Sequence, residues 1–274
     1  MEKKLVMPRI DLNLCKFNIA LFLRAILLLS PILLLFYQEN GLSVNELFLF
    51  QGIFYLTSII VETPVGYLSD NMSRRNLLIL SFIIFISIAV LWFFYHGYWI
   101  ILIGEMLFAV SKVMMDNAMS GYLYDYLTSK GESTRMVNYY GYLNFYLALG
   151  TAFAALLGTY FYAKFGSHFI LISEFCLVLV SIFLVLSIPN IKRQNHDGVQ
   201  KFFVNMKAIC SNKAIIYYIL YSGILTSYSI LFALSFQPLM QNAMFPVMLF
   251  GVAAFFNHGI RALAGVVAGG GAIS

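Results

Sequence analysis

Long apolar runs separated by short polar breaks dominate the chain. A helix needs about 20 apolar residues to cross a bilayer, and eight runs reach that length. They cover residues 17–38, 44–69, 76–95, 98–125, 136–162, 166–188, 213–237 and 246–270. The runs are continuous and do not alternate with polar residues, which favours helices over barrel strands. The pattern therefore predicts an all-α, polytopic membrane protein with about eight transmembrane helices.

Composition excludes the soluble classes of protein. Hydrophobic residues make up 61% of the 274 residues and charged residues 11%, against about 45–50% and about 25% in soluble domains. Mean hydropathy is +0.84. The formal net charge is +5, but the basic residues lie between the apolar runs and form no face that would bind nucleic acid. The expected environment is a lipid bilayer.

The charges of the loops predict the orientation of the spans. The segment before the first span has four Lys/Arg residues, and the loops after spans two, four and six are also basic. The loops after spans one, three and seven have no Lys or Arg, and the fifth has Lys164 alone. Because basic loops stay in the cytoplasm, we predict a multi-pass protein of the cytoplasmic (inner) membrane with its N-terminus inside.

A polar break and an internal repeat predict the domain organisation. The longest polar break lies near residues 189–212, and a shift of 199 residues aligns spans one and two with spans seven and eight. Parallel repeats of one helical bundle are typical of transporters. We therefore predict a six-helix transmembrane bundle in 1–188, a cytoplasmic linker in 189–212 and the first two helices of a second bundle in 213–274.

The loop after span two carries a recognisable motif. It reads Gly66-Tyr-Leu68-Ser-Asp70-Asn-Met-Ser-Arg74-Arg75. This resembles G-x-L-[AS]-D-x-x-G-R-[RK], the signature of the major facilitator superfamily, with Ser73 in place of the usual glycine. The lead-in from Glu62 and the Tyr124-Asp125 pair that closes span four also resemble a bacterial subgroup of these transporters.

The resemblance implies two bundles of six helices that move a small molecule by alternating access, without a cofactor and as a monomer. It implies that Gly66, Leu68, Asp70, Arg74 and Arg75 form a gating loop that latches the bundles in one state. We expect Gly66 to permit close helix approach. The alternative is a generic loop in which the two arginines only anchor the topology. With eight of twelve helices, we expect the chain to be a truncated or frame-shifted transporter.

Ionisable residues inside the spans are candidates for proton coupling. Span four holds Glu105, Lys112 and Asp116, which lie within about 20° of one helical line, and Glu62 lies near the inner end of span two. Such a stripe is expected to face other helices or a wet cavity. Glu105 or Asp116 is then a proton carrier, or the three residues form a structural ion-pair network. Both interpretations remain open.

Arg24 and three tyrosines are candidates for the substrate cavity. Arg24 either extends to the cytoplasmic interface or lines the cavity, where it would favour anionic or zwitterionic groups. Tyr217, Tyr221 and Tyr228 lie within about 40° of one line on span seven, and such faces suit amphipathic substrates. In span five, Gly150 and Gly158 lie on a small-residue face that predicts tight helix packing.

The leading hypothesis is a secondary active transporter that moves a small organic solute, by proton-coupled efflux of a drug or metabolite. The alternatives are a solute uptake permease, an inactive transporter fragment and a membrane-embedded enzyme. The sequence shows no motif for a metal site and no catalytic nucleophile motif, so we expect no enzyme activity, no metal and no cofactor.

Overall fold

The structure is a computed structural model that describes residues 11–191 and 211–271, with side chains described up to residue 260. All regular secondary structure in these residues is helical. The helices are α1 (Leu12–Ala25), α2 (Leu33–Glu39), α3 (Val44–Asn71), α4 (Arg74–Phe94), α5 (Tyr98–Ser129), α6 (Met136–Leu186), α7 (Lys213–Asn242) and α8 (Val247–Gly271). Two short 3-10 turns, Ser30–Ile32 and Ser133–Arg135, precede α2 and α6. The predicted all-α, polytopic fold is confirmed.

Six helical segments of the described chain are long and apolar enough to cross a membrane, and Val247–Ile260 forms a shorter apolar helix. Their bounds agree with the predicted spans to within a few residues. The first span, predicted as one helix, is discontinuous: α1 ends at Ala25, and a new helical segment begins at Ser30. Pro31 explains the break, since it lacks an N–H and cannot continue a helix from the preceding turn.

Spans five and six appear as the single element α6, which is interrupted at Gly166. This residue has φ 77° and ψ −178°, a conformation that a residue with a Cβ rarely adopts. The rings of Phe161 and Phe169 have centroids 5.4 Å apart, although eight residues in a straight helix would span about 12 Å. The chain therefore reverses at Gly166, and α6 consists of two antiparallel arms.

Helices α1 to α6 and α8 belong to one compact unit. Its apolar core includes the fully buried rings of Phe17, Phe50 and Phe82. Helices α4 and α5 approach closely where the Trp92 ring covers Gly104, since an added Cβ there would lie 2.1 Å from the indole nitrogen. The exposed apolar side chains around this core form the surface that a bilayer would cover.

Three glycines bring helices into backbone contact. An added Cβ would lie 2.6 Å from the Phe22 carbonyl oxygen at Gly150 and 2.2 Å from the Leu28 carbonyl oxygen at Gly158. The first arm of α6 therefore packs directly on the broken first span, which confirms the predicted tight packing at these two positions. A Cβ at Gly251 of α8 would lie 2.3 Å from the Ala155 carbonyl oxygen, so α8 crosses the same arm closely.

Helix α7 belongs to a second unit. Asn212 caps its start by accepting hydrogen bonds from the amides of Ala214 (3.1 Å) and Ile215 (3.4 Å). None of its residues is buried. The predicted linker lies largely outside the described residues, and the division into two bundles stays a prediction.

Candidate functional site

Glu105 lies at the centre of a buried cluster formed by three helices. Its side chain on α5 is 1% exposed. The Tyr37 hydroxyl at the end of α2 donates to Glu105 Oε1 at 2.5 Å, and Gln51 Nε2 of α3 donates to Oε2 at 3.3 Å. Both carboxylate oxygens therefore have neutral donors. No cation lies within ion-pair distance of Glu105 among the described residues.

Aromatic packing fixes the Tyr37 ring against Glu105. Tyr37 is fully buried, and its ring meets Phe50 edge-on with centroids 5.7 Å apart. Phe50 in turn packs edge-on against Tyr98, at 4.9 Å. These contacts leave the Tyr37 hydroxyl as the polar end of an otherwise apolar cluster, aimed at the carboxylate.

Lys112 and Asp116 form an ion pair one turn apart on α5. Lys112 Nζ donates to Asp116 Oδ2 at 2.6 Å, and the two side chains are 47% and 46% exposed. The predicted pairing of Lys112 with Asp116 is present. The three residues of the stripe differ in environment, however, because Glu105 is enclosed and the other two are half-exposed. An ion pair that includes Glu105, as the alternative of a structural network would require, is not seen among the described residues, where Glu105 accepts hydrogen bonds from Tyr37 and Gln51.

Arg24 is enclosed by the first unit. It is 2% exposed, and its guanidinium carbon lies 3.7 Å from the centroid of the Phe85 ring. The Phe108 ring lies farther away, at 6.0 Å. Arg24 therefore does not extend to the interface, and that alternative is wrong: the cation stacks on an aromatic ring inside the bundle, where cation–π attraction is strong. Its role in substrate binding stays a prediction.

The break in the first span is held by a residue that sequence reasoning did not assign. Glu174, on the second arm of α6, is 4% exposed, and its Oε1 accepts a hydrogen bond from the Leu29 amide at 2.9 Å. The break frees backbone amides from helical bonding, and an unsatisfied amide in the bilayer costs several kcal/mol. Glu174 supplies the missing acceptor. Pro31 was the signal for the break, but nothing in the sequence pointed to its partner.

The predicted gating motif spans the end of α3 and the start of α4. Asp70 is exposed near the end of α3, and the Leu68 carbonyl accepts the amide of Met72, which closes the helix, at 2.9 Å. Ser73 caps α4 by accepting from the Asn76 amide at 3.3 Å. Ser73 therefore serves as the N-cap of α4 at the position where the family motif has glycine, and serine is among the preferred N-cap residues.

Gly66 makes no close helix contact among the described residues, and its expected role in a close approach stays a prediction. An added Cβ would meet nothing within 4 Å. The reason is that α3 turns much of its surface away from the unit: the neighbouring Tyr67 is 68% exposed. Glu62 on the same helix is also exposed, and its Oε1 accepts a hydrogen bond from Asn117 Nδ2 of α5 at 3.3 Å.

Both arginines of the motif contact distant parts of the unit. Arg74 Nε lies 3.9 Å from Asp125 Oδ2, and Gly121 leaves room for the arginine, since an added Cβ would lie 2.6 Å from Arg74 Nε. Arg75 donates to the Ile188 carbonyl at 3.0 Å. These two contacts therefore link the start of α4 to the end of α5 and to the residues that follow α6. Asp125 belongs to the Tyr124-Asp125 pair that resembles the family, but its pairing with Arg74 was not predicted.

A polar cluster lies at the start of α1. Asp11 caps α1 through the Asn13 amide at 3.0 Å, accepts the Tyr126 hydroxyl at 2.6 Å and lies 3.8 Å from Lys130 Nζ. Burial raises the pKa of Asp11, but the hydrogen bonds and the Lys130 charge outweigh it, so the pKa lies below its usual value of 3.8. The carboxylate is thereby kept ionised where it anchors α1 to α5.

The three tyrosines of span seven lie on α7. Tyr217, Tyr221 and Tyr228 are 71%, 65% and 69% exposed. Such exposure is compatible with a surface that contacts a solute, and the predicted cavity role stays a prediction.

Comparison with known proteins supports the reading of the motif. The family model described as Major Facilitator Superfamily matches residues 17–273. No curated protein matches the chain.

Proposed function

The chain belongs to the Major Facilitator Superfamily, and from this premise we propose that it exports a small organic solute in exchange for protons, with Glu105 as the proton carrier. Membership makes the protein a multi-pass membrane transporter of the secondary type, which moves a small-molecule substrate through a lipid bilayer. The direction of transport, the coupling ion and the class of solute are the proposed parts.

The observation that carries the proposal is the environment of Glu105. An ionised carboxylate that is buried away from cations is costly, and the cost disappears when it binds a proton. Tyr37 and Gln51 stabilise the ionised form through both oxygens, so neither protonation state is left without partners. Because these donors come from different helices, loss of the negative charge weakens contacts that join α2, α3 and α5.

Asp116 is less suited to this role. Its charge is already compensated by Lys112, 2.6 Å away, and both side chains are half-exposed. An exposed i, i+4 pair contributes about 0.3–0.5 kcal/mol, so its protonation changes little in the bundle. We therefore infer that the proton is carried by the buried member of the stripe and that Lys112 and Asp116 tune the local field.

The aromatic face of α7 supports an amphipathic solute. Tyr217, Tyr221 and Tyr228 offer ring faces for stacking and hydroxyl groups for hydrogen bonding. A buried Arg24 supplies a positive field in the first unit, which favours solutes that carry an anionic or zwitterionic group.

The test uses the full chain in proteoliposomes that contain a trapped pH-sensitive dye. Lipophilic cations, organic anions and zwitterions are added one class at a time, and solute-dependent proton movement identifies the transported class. The sign of the proton movement relative to the solute gradient separates exchange from co-transport.

Glu105→Gln is expected to abolish solute-driven proton movement while solute-for-solute exchange continues. Asp116→Asn is expected to retain proton movement, and Glu132→Gln, at an acid outside the site, serves as the matched control. Full proton coupling in Glu105→Gln would remove Glu105 from the carrier role. Loss of coupling in Asp116→Asn alone would transfer that role to Asp116.

A further inference from the structure

The outer half of the first span is a separate short segment, Ser30–Glu39, which we term the hinged segment. It consists of the 3-10 turn Ser30–Ile32 and helix α2. Residues Ile26–Leu29 join it to α1 without continuous helical hydrogen bonding: the Ile26 and Leu27 amides bond to the Leu23 and Ala25 carbonyls at 3.2 and 2.9 Å. A segment joined in this way can move independently of α1.

A buried carboxylate holds each end of the hinged segment. At the inner end, Glu174 Oε1 accepts from the Leu29 amide at 2.9 Å. At the outer end, the Tyr37 hydroxyl donates to Glu105 Oε1 at 2.5 Å. The two acids lie on different helices, α6 and α5, and both are enclosed, with exposures of 4% and 1%.

Helix α6 packs directly against the break between α1 and the hinged segment. Gly158 lies against the Leu28 carbonyl and the Pro31 ring, and Gly150 against Phe22 and Ala25. This contact limits the movement of the break toward α6. Because α6 occupies that side of the break, we infer that the position of the hinged segment depends on the acceptor at its inner end.

We propose that Glu174 is a positioning residue for the proton carrier: by holding the Leu29 amide it fixes the hinged segment, and thereby keeps the Tyr37 hydroxyl on Glu105. The inference rests on the proposed function, in which Glu105 carries the proton. Arg24 of α1 is the charged group that faces Glu174, and Asp116 of α5 in turn acts on Arg24. We infer that Glu174 acts through the length of its side chain, which lets an oxygen reach the Leu29 amide, and not through its negative charge opposite Arg24.

Two conservative variants separate reach from charge. Glu174→Gln keeps the length of the side chain and an acceptor oxygen but removes the charge. Glu174→Asp keeps the charge but withdraws the carboxylate by one methylene, so that it no longer reaches the Leu29 amide. Ser181→Ala is the matched control, because Ser181 is buried on the same arm of α6 and bonds only within its own helix, to the Leu177 carbonyl.

The first readout is hydrogen–deuterium exchange of peptides covering residues 26–40, measured on the full purified chain in lipid nanodiscs. Glu174→Asp is expected to accelerate exchange in this segment about tenfold, the equivalent of one net hydrogen bond. Glu174→Gln and Ser181→Ala are expected to exchange at the wild-type rate. Wild-type exchange in Glu174→Asp, or acceleration in Glu174→Gln alone, would overturn the proposal.

The second readout connects the hinge to Glu105. Tyr37→Phe and Glu174→Asp are combined, and proton movement in proteoliposomes is measured for each single variant and for the pair. If Glu174 acts through Tyr37, the double variant loses no more coupling than Tyr37→Phe alone, whereas additive losses would contradict the mechanism. Should Glu105→Gln leave proton movement intact, the proposed function fails, but the exchange experiment still decides whether Glu174 holds the hinge.

Discussion

Gly158→Ala tests whether the broken first span depends on direct contact with α6. An added Cβ would lie 2.2 Å from the Leu28 carbonyl oxygen and 3.0 Å from the Pro31 ring, whereas ordinary contact begins at 3.4 Å. The backbone at the break would therefore have to move by about 1.2 Å, or α6 would have to withdraw. The nearest atom belongs to the main chain, so a flexible side chain cannot relieve the contact by changing its rotamer.

The expected cost follows from two opposing effects. Overpacking costs about 1–3 kcal/mol, and a contact this short belongs at the upper limit. Alanine is favoured over glycine in a helix by about 1 kcal/mol. The net destabilisation is about 2 kcal/mol, which corresponds to about a 30-fold shift in the folding equilibrium. In domains of 150–250 residues this lowers the melting temperature by about 4–8 °C.

The assay is thermal unfolding of the purified chain in detergent, followed by intrinsic fluorescence. Gly52→Ala in α3 is the matched control, since an added Cβ there meets nothing within 4 Å, and the helix preference alone should leave its stability unchanged or slightly higher. Equal melting temperatures for Gly158→Ala and Gly52→Ala would refute the close contact between α6 and the break.

Two further predictions concern the polar contacts at the ends of the helices. Arg74→Ala and Asp125→Asn should each destabilise the unit, and a double-mutant cycle of melting temperatures should give a coupling of about 0.5–1 kcal/mol; strict additivity would show that the pair makes no net contribution. The pKa of Asp11 is lowered in the folded state, so its stabilisation is present above pH 3.8 and is lost as the pH falls through the lower folded value. Asp11→Asn should therefore reduce the melting temperature at pH 7, and the difference from wild type should shrink as the pH falls below 3.8; a difference that stays constant through this acid range would contradict the assignment.

Hydropathy was sufficient to predict where the helices lie. Each apolar run needs a backbone that satisfies its own hydrogen bonds in lipid, so the length and continuity of the runs predicted the spans. The family motif was equally local: six of its residues stand within ten positions. Family membership could therefore be predicted from this motif without knowing how the helices pack.

The partners of the buried acids were not predictable in the same way. Glu105 was recognised as a candidate from its charge and its span, but Tyr37 and Gln51 reach it from 68 and 54 residues away. Such pairs depend on the rotation and tilt of each helix, which a periodic pattern does not specify. Glu174 illustrates the same limit, because the amide it binds became available only where Pro31 broke a helix elsewhere.

The reversal at Gly166 has a consequence for how the protein enters its membrane. Only a single residue departs from helical geometry between the two arms of α6. So short a connection leaves no loop that would allow one arm to cross the bilayer while the other stays outside it. We therefore expect the two arms to partition into the bilayer together, as a helical hairpin. Glu174 then enters lipid alongside Gly158, already close in space to the position its amide partner will occupy.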